Sequence, residues 1–180
     1  MKRLLLLRHA KAEAQGEARD DKSRALTERG RQDAARIALH MRKKQYLPDF
    51  VMCSSSVRTR ETLEYWSVAI AENPKTQFFD ALYLAEPETM LSLIRRAPDT
   101  AQAMMIVAHN PGTEEIAIAL LREQLKPKAR DQLDAIEEKF PTAALAIIDF
   151  DIDSWKALKT TSGSLVDFVR PRDLRDGSAG

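Results

Sequence analysis

Short apolar runs alternate with amphipathic stretches along this chain. Leu4 to Leu7 is a continuous apolar run, the pattern of a strand buried on both faces. The polar, charged stretch from Lys11 to Arg24 reads as a long surface loop. Thr27 suits a helix N-cap, and behind it Ala34, Ile37, Ala38 and Met41 recur at helical spacing in a helix that ends before Pro48. Phe50 to Cys53 reads as a second buried strand, followed by Ser54-Ser55-Ser56 and a helix carrying Leu63, Trp66 and Ile70 that Asn73-Pro74 breaks. Phe78-Phe79 and Leu82 mark a short third strand or extended segment, and Pro87 stands at the start of a helix with Met90, Leu91 and Ile94. Ala103 to Val107 is a fourth strand, after which Pro111-Gly112 opens a helix carrying Ile116, Ala117, Leu120 and Leu121. The stretch from Lys126 to Lys139 shows no clear buried face and is open between a solvated helix and a loop. Ala143 to Phe150 and Leu165 to Val169 complete the strands, with Asp151 to Ser154 turning between them.

This alternation predicts an α/β fold, a three-layer α/β/α sandwich with a largely parallel central sheet. A length of 180 residues suits one domain, expected over residues 1–170 with a polar tail at 171–180. With 28 basic residues against 27 acidic ones the net charge is +1, which argues against a general nucleic-acid binder but leaves room for a local basic pocket. The single cysteine, Cys53, excludes an internal disulfide framework and reads as a buried strand residue in a reducing compartment. No apolar run approaches the roughly 20 residues that cross a bilayer, and the leading leucines stop at Arg8-His9 with no cleavage site behind them. A cytoplasmic monomer with no nucleic-acid or membrane partner is the expectation.

In parallel sheets chemistry collects just beyond the carboxyl ends of strands. Three such positions carry unusual residues here: Arg8-His9, Ser54 to Arg58, and His109-Asn110. Either histidine alone would pass as a surface residue. Two histidines and two arginines at equivalent strand ends make a site for a dianionic phosphoryl group, because the planar arginine fork matches phosphate oxygens and keeps its charge. Rival constellations fail. Only four residues separate Cys53 from Arg58, one too few for a cysteine phosphatase, and His40 has no second metal ligand at helical spacing. No glycine-rich nucleotide loop occurs, Trp66 and Trp155 read as packing residues, and Arg170-Pro171-Arg172 reads as part of a solvated tail.

Arg8-His9-Ala10 resembles the Arg-His-Gly signature of the histidine phosphatase superfamily, whose fold is phosphoglycerate mutase-like. The resemblance runs on through Arg24-Ala25-Leu26-Thr27-Glu28-Arg29-Gly30, Ser54 to Thr62, and His109-Asn110-Pro111-Gly112. With the short chain it looks most like the phosphohistidine phosphatase, SixA-like branch. The resemblance implies that His9 is the nucleophile, forming a phosphohistidine while a backbone carbonyl holds its other ring nitrogen. It implies that Arg8 and Arg58 hold the phosphoryl oxygens and that His109 is a further phosphate ligand, cationic while the dianion is bound. The helix after Pro111 would aim free N–H groups at the same anion. Arg24 is a candidate third arginine or an exposed loop residue, Ser54 and Ser55 are phosphate donors or helix caps, and Asn110 is a further substrate-binding candidate. No cofactor and no metal are implied.

Three departures from the family pattern stand out, and the last bears on the substrate. Ala10 replaces glycine and Ala12 lacks the hydroxyl of mutase-type members; both are small changes. Ala81 falls where many ester-cleaving members carry a glutamate as general acid, with Asp80 and Glu86 as looser substitutes. An alkoxide leaving group normally needs a proton donor worth roughly 10²–10⁴ in rate, whereas a phosphorylated imidazole leaves as a neutral ring. The expectation is a metal-independent phosphatase acting on phosphohistidine of a signalling protein, such as a histidine-containing phosphotransfer domain, with phosphate- or sulfate-like anions entering the same pocket. A phosphomonoesterase for a small phosphate ester is the nearer alternative, and a phosphoprotein-binding module without turnover the more distant one.

Overall fold

A computed structural model describes residues 1–16, 20–121 and 127–174. Among them, six strands form one sheet in the order β3-β2-β4-β1-β5-β6: β1 Lys2–Arg8, β2 Phe50–Ser54, β3 Lys75–Phe79, β4 Ala103–Ala108, β5 Leu145–Phe150 and β6 Ser164–Val169. The first four in that order run parallel, and β5 returns antiparallel against both β1 and β6. The helices are α1 Glu28–Lys44, α2 Val57–Ile70, α3 Pro87–Ile94, α4 Gly112–Leu120 and α5 Pro127–Glu138.

The period-2 alternation of side chains explains the three layers. Leu4 and Leu6 of β1 enter one apolar cluster, with residues of α3, α4 and α5; Leu5 and Leu7 enter the other, with Ala34, Ile37, Ala38 and Met41 of α1 and Leu63, Trp66 and Ile70 of α2. All four leucines are fully buried. Trp66 and Trp155 are core residues on opposite faces, and Cys53 is buried in β2, where desolvation pushes its thiol up to about 12.

Local chemistry sets the helix starts. The Thr27 hydroxyl accepts from Gly30 N at 3.1 Å, and the Ser56 hydroxyl caps α2 through Thr59 N. Capping of α2 therefore falls to Ser56, not to Ser54 or Ser55. Pro87 opens α3 at its first position. Gly30 lies where an added Cβ would meet the Lys11 carbonyl oxygen at 2.1 Å, so the loop after β1 can lie directly on the first turn of α1. That same carbonyl accepts from Thr27 N at 2.9 Å, which fixes the loop.

The structure resolves the open stretch as α5 and supplies the buried face that the sequence reading missed: Leu133 and Ile136, three residues apart, turn inward. Lys126 itself lies outside the described residues. The supposed tail begins with a 3-10 turn, Pro171–Leu174, in which Pro171 is buried and Arg170 pairs with Asp173 at 2.9 Å. No described helix is long and apolar enough to cross a membrane.

Candidate active site

Strand order places three chemically unusual strand ends side by side. β4 lies between β2 and β1, and all three run parallel, with Arg8 opposite Ala108 and Cys53 opposite Val107. The residues that follow, His9, His109 and Ser54, consequently emerge at one edge of the sheet, the crevice favoured for ligands in open α/β sheets. There a cleft of about 330 Å³ is lined by Arg8, His9, Arg24, Arg58, His109 and Asn110, with Lys11, Ala12, Asp21, Leu84 and Thr142 around them.

His9 is held at both backbone and ring. Its N–H donates to the Ala108 carbonyl at 3.0 Å, and its Nδ1 lies 2.8 Å from the Ala10 carbonyl oxygen. A carbonyl can only accept, so the proton sits on Nδ1 and Nε2 keeps its lone pair. The Ala10 backbone is tied down in turn: its N–H donates to Thr62 Oγ1 at 2.9 Å, and the same hydroxyl donates to the Arg58 carbonyl at 2.6 Å. One buried threonine thus links the histidine loop to the helix that carries Arg58.

The His109 ring lies 5.2 Å, centroid to centroid, from that of His9, and its Nε2 is 2.8 Å from the buried Ser54 hydroxyl. Its Nδ1, like Nε of Arg58 and of Arg8 and Oδ1 of Asn110, is buried with no partner among the described residues. With only the protein's own charges around them, both imidazoles are pushed down to about 3. Burial is the main cause for each; for His9 it is followed by His109 and the neighbouring guanidiniums, for His109 by Arg58. Both rings are therefore neutral at pH 7, and a bound dianion is what would draw a proton onto His109.

Arg58 is 2% exposed, and its Nη1 and Nη2 donate to the Asp21 carbonyl at 2.7 Å and to Asp21 Oδ2 at 3.0 Å, while Nε is buried without a partner. Arg8 donates to the Phe140 carbonyl at 2.7 Å and likewise keeps an unpartnered, buried Nε. Arg24 lines the cleft rather than standing exposed on the loop: it donates to Asp21 Oδ1 at 2.9 Å and to the Glu13 carbonyl at 2.8 Å. Asn110 donates to Glu114 and to the Phe140 carbonyl, leaving its Oδ1 buried without a partner.

Other candidates stand elsewhere. Ser55 donates to Asp80, whose carboxylate also holds Lys22 at 2.6 Å on the exposed surface. Asp80 and Glu86 are both absent from the cleft lining, and Glu86 occupies the N-cap position of α3. The start of α4 is turned away as well: no residue of α4 lines the cleft, Thr113 N is bonded to the His109 carbonyl, and Gly112 lies against the Ala85 carbonyl, where a Cβ would come within 2.0 Å. The sequence reading missed Asp21, Tyr83 and Thr62. Tyr83 donates its hydroxyl to Asp21 Oδ2, and its ring stands nearly perpendicular to that of His109, with centroids 5.4 Å apart. Only Thr62 carried a signal, since it closes the stretch from Ser54 that resembles the superfamily; Asp21 sits in a polar loop with nothing to single it out.

The superfamily's profile, Histidine phosphatase superfamily (branch 1), matches residues 4–77, from within β1 to the middle of β3. An uncharacterized protein of Mycobacterium leprae, ML1117, is 30% identical over 152 residues, which are 84% of this chain and 89% of that protein. A solved structure from Agrobacterium tumefaciens, assigned as the phosphohistidine phosphatase SixA, is 33% identical with a TM-score of 0.78, over 94% of this chain and 98% of that one. A protein histidine phosphatase SixA solved with tungstate shares the fold at a TM-score of 0.76 and 16% identity, over 96% of this chain and 99% of that one. Likeness of sequence and fold across nearly the whole of the Agrobacterium chain makes this protein a phosphatase of the histidine phosphatase superfamily.

Proposed function

We propose that this phosphatase uses His9 as its nucleophile and acts on phosphohistidine borne by a protein. Nε2 of His9, its lone pair kept free by the Nδ1 contact to Ala10, attacks phosphorus and forms a phosphohistidine intermediate that water then hydrolyses. The unpartnered Nε atoms of Arg8 and Arg58 and the Nδ1 of His109 are the groups left to meet phosphoryl oxygens, and Arg24 and Asn110 serve at the rim.

The observation that carries the choice of substrate is the lack of a carboxylic acid able to give up a proton among the described residues of the cleft. Asp80 and Glu86 stand outside it, and Asp21, inside it, is held down to about 2, chiefly by the Tyr83 hydroxyl with Arg58 and Arg24. An ester needs such a donor; a protonated phosphoimidazole does not. Lys11 and Leu84, both exposed, are among the residues that line the cleft, which supports a substrate group presented from another protein. Tungstate, bound by the SixA of the same fold, has the tetrahedral shape of the phosphoryl group placed in this cleft.

The test compares phosphate release from a phosphohistidine-bearing protein with release from para-nitrophenyl phosphate, using His9→Ala as control. A strong preference for the phosphoprotein is expected. Preference for the ester would reassign the enzyme to small phosphate esters.

A further inference from the structure

Among the described residues that line the cleft, Asp21 is the only acid. Its presence there is electrostatically unfavourable for binding a dianion, since it offsets one of three guanidiniums. Three side chains nevertheless converge on it: Arg58 at 3.0 Å, Arg24 at 2.9 Å and the Tyr83 hydroxyl. Its side chain is 26% exposed while that of Arg58 is 2% exposed, so the carboxylate stands towards the mouth and the guanidinium at the floor. His9 and His109 are buried at that floor. A nucleophile on the floor expels the leaving group towards the mouth, because displacement at phosphorus runs in line. The leaving group therefore departs on the side where Asp21 stands.

Building on the phosphohistidine reading above, we propose that Asp21 is a specificity-determining residue whose carboxylate favours substrates with a protonated nitrogen ring as leaving group and disfavours those that leave as oxyanions. The substrate imidazole carries its proton on the ring nitrogen not bonded to phosphorus. As His9 Nε2 bonds to phosphorus, the substrate P–N bond breaks, its electron pair stays on that ring nitrogen, and a neutral imidazole departs with its proton in place. Without that proton the ring would have to leave as an anion. A carboxylate within about 4–6 Å favours a protonated neighbour by about 1–3 pKa units, which is about tenfold per unit in the reactive fraction above the ring's own pKa. The same carboxylate repels negative charge growing on an ester oxygen. Asp21, tied to Arg58, Arg24 and Tyr83, keeps its charge while the ring departs.

The experiment measures kcat/KM for phosphoimidazole and for para-nitrophenyl phosphate in the wild type, Asp21→Asn and Tyr83→Phe. Asp21→Asn is expected to lower the ratio of the two by about tenfold or more. Tyr83→Phe, which removes one donor but leaves the charge, is expected to keep the ratio within about threefold. An equal fall on both substrates would mean that Asp21 only holds Arg58, and would overturn the proposal, as would an unchanged ratio with both activities intact. If Asp21→Asn does not fold, the wild type alone decides. Its kcat on phosphoimidazole, which reports the bound probe, should persist to a pH at least about one unit above the probe's own ring pKa, and a kcat that declines with the free probe's pKa would refute the assignment. The wild-type preference between substrates tests the phosphohistidine reading, and the change in ratio or the pH displacement tests Asp21, so either can fail alone.

Discussion

Thr62→Val changes almost no volume and removes one buried hydroxyl from behind the site, where it joins Ala10 to Arg58. That hydroxyl accepts from Ala10 N at 2.9 Å and donates to the Arg58 carbonyl at 2.6 Å, and Thr62 and Ala10 are both fully buried. The Arg58 carbonyl keeps its place in the α2 ladder after the change, but the Ala10 N–H is left without an acceptor. An orphaned buried donor costs about 1–3 kcal/mol. For a protein of this length about 2 kcal/mol lowers Tm by roughly 4–8 °C. The cost should also reach the chemistry, since the Ala10 carbonyl orients the His9 ring through the 2.8 Å contact at Nδ1. A misplacement near 1 Å can cost about 10²-fold, so kcat should fall by roughly 10- to 100-fold. The assay pairs thermal denaturation with kcat on the preferred substrate, and Thr62→Ser, which keeps the hydroxyl, should stay near wild type in both. A Thr62→Val protein with unchanged Tm and unchanged kcat would refute the claim that this hydroxyl holds the histidine loop.

His9→Ala should lose turnover and keep its circular-dichroism melt, because the residue follows a strand whose own leucines supply the core; appreciable residual activity would remove His9 as nucleophile. Arg58→Ala should lose on the order of 10²-fold or more in kcat/KM, with Arg58→Lys retaining part of it, since lysine keeps the charge without the fork; full wild-type kinetics in Arg58→Lys would argue against any need for the fork. The two depressed histidines set the sign of the pH dependence of stability. Each binds a proton near pH 6.5 when unfolded but only near 3 when folded, so stability is flat above about 6.5 and falls below it, by up to about 1.4 kcal/mol per pH unit for each ring. Melting curves from pH 7 down to 5 should show that fall, and a constant Tm would contradict the burial of both rings. Turnover should be indifferent to prolonged chelation; a clear loss restored by a divalent cation would bring a metal into the reaction.

The β-strand pattern and the Arg-His, Ser-to-Arg58 and His109 positions were legible in the chain because each depends on neighbours in sequence. A strand buried on both faces shows as a run of leucines, a cap shows as Thr27 before a helical period, and polar residues at strand ends stand out against apolar surroundings. Strand order was not legible. Only the placement of β4 between β1 and β2 turns three scattered loops into one cleft and sets His9 and His109 5.2 Å apart. Asp21 and Tyr83 were invisible, and Thr62 showed only as the end of a familiar stretch, for a related reason: the contacts Asp21–Arg58, Tyr83–Asp21 and Thr62–Ala10 join residues 37 or more apart, by hydrogen bonds that leave no period or spacing in the chain. The face of α5 was missed because two inward residues among many charges make too faint a stripe until a sheet lies beneath them. Local pattern determined which residue types stand at the strand ends; long-range packing decided that they share one cleft, that burial keeps both imidazoles neutral there, and that a carboxylate lines it as well.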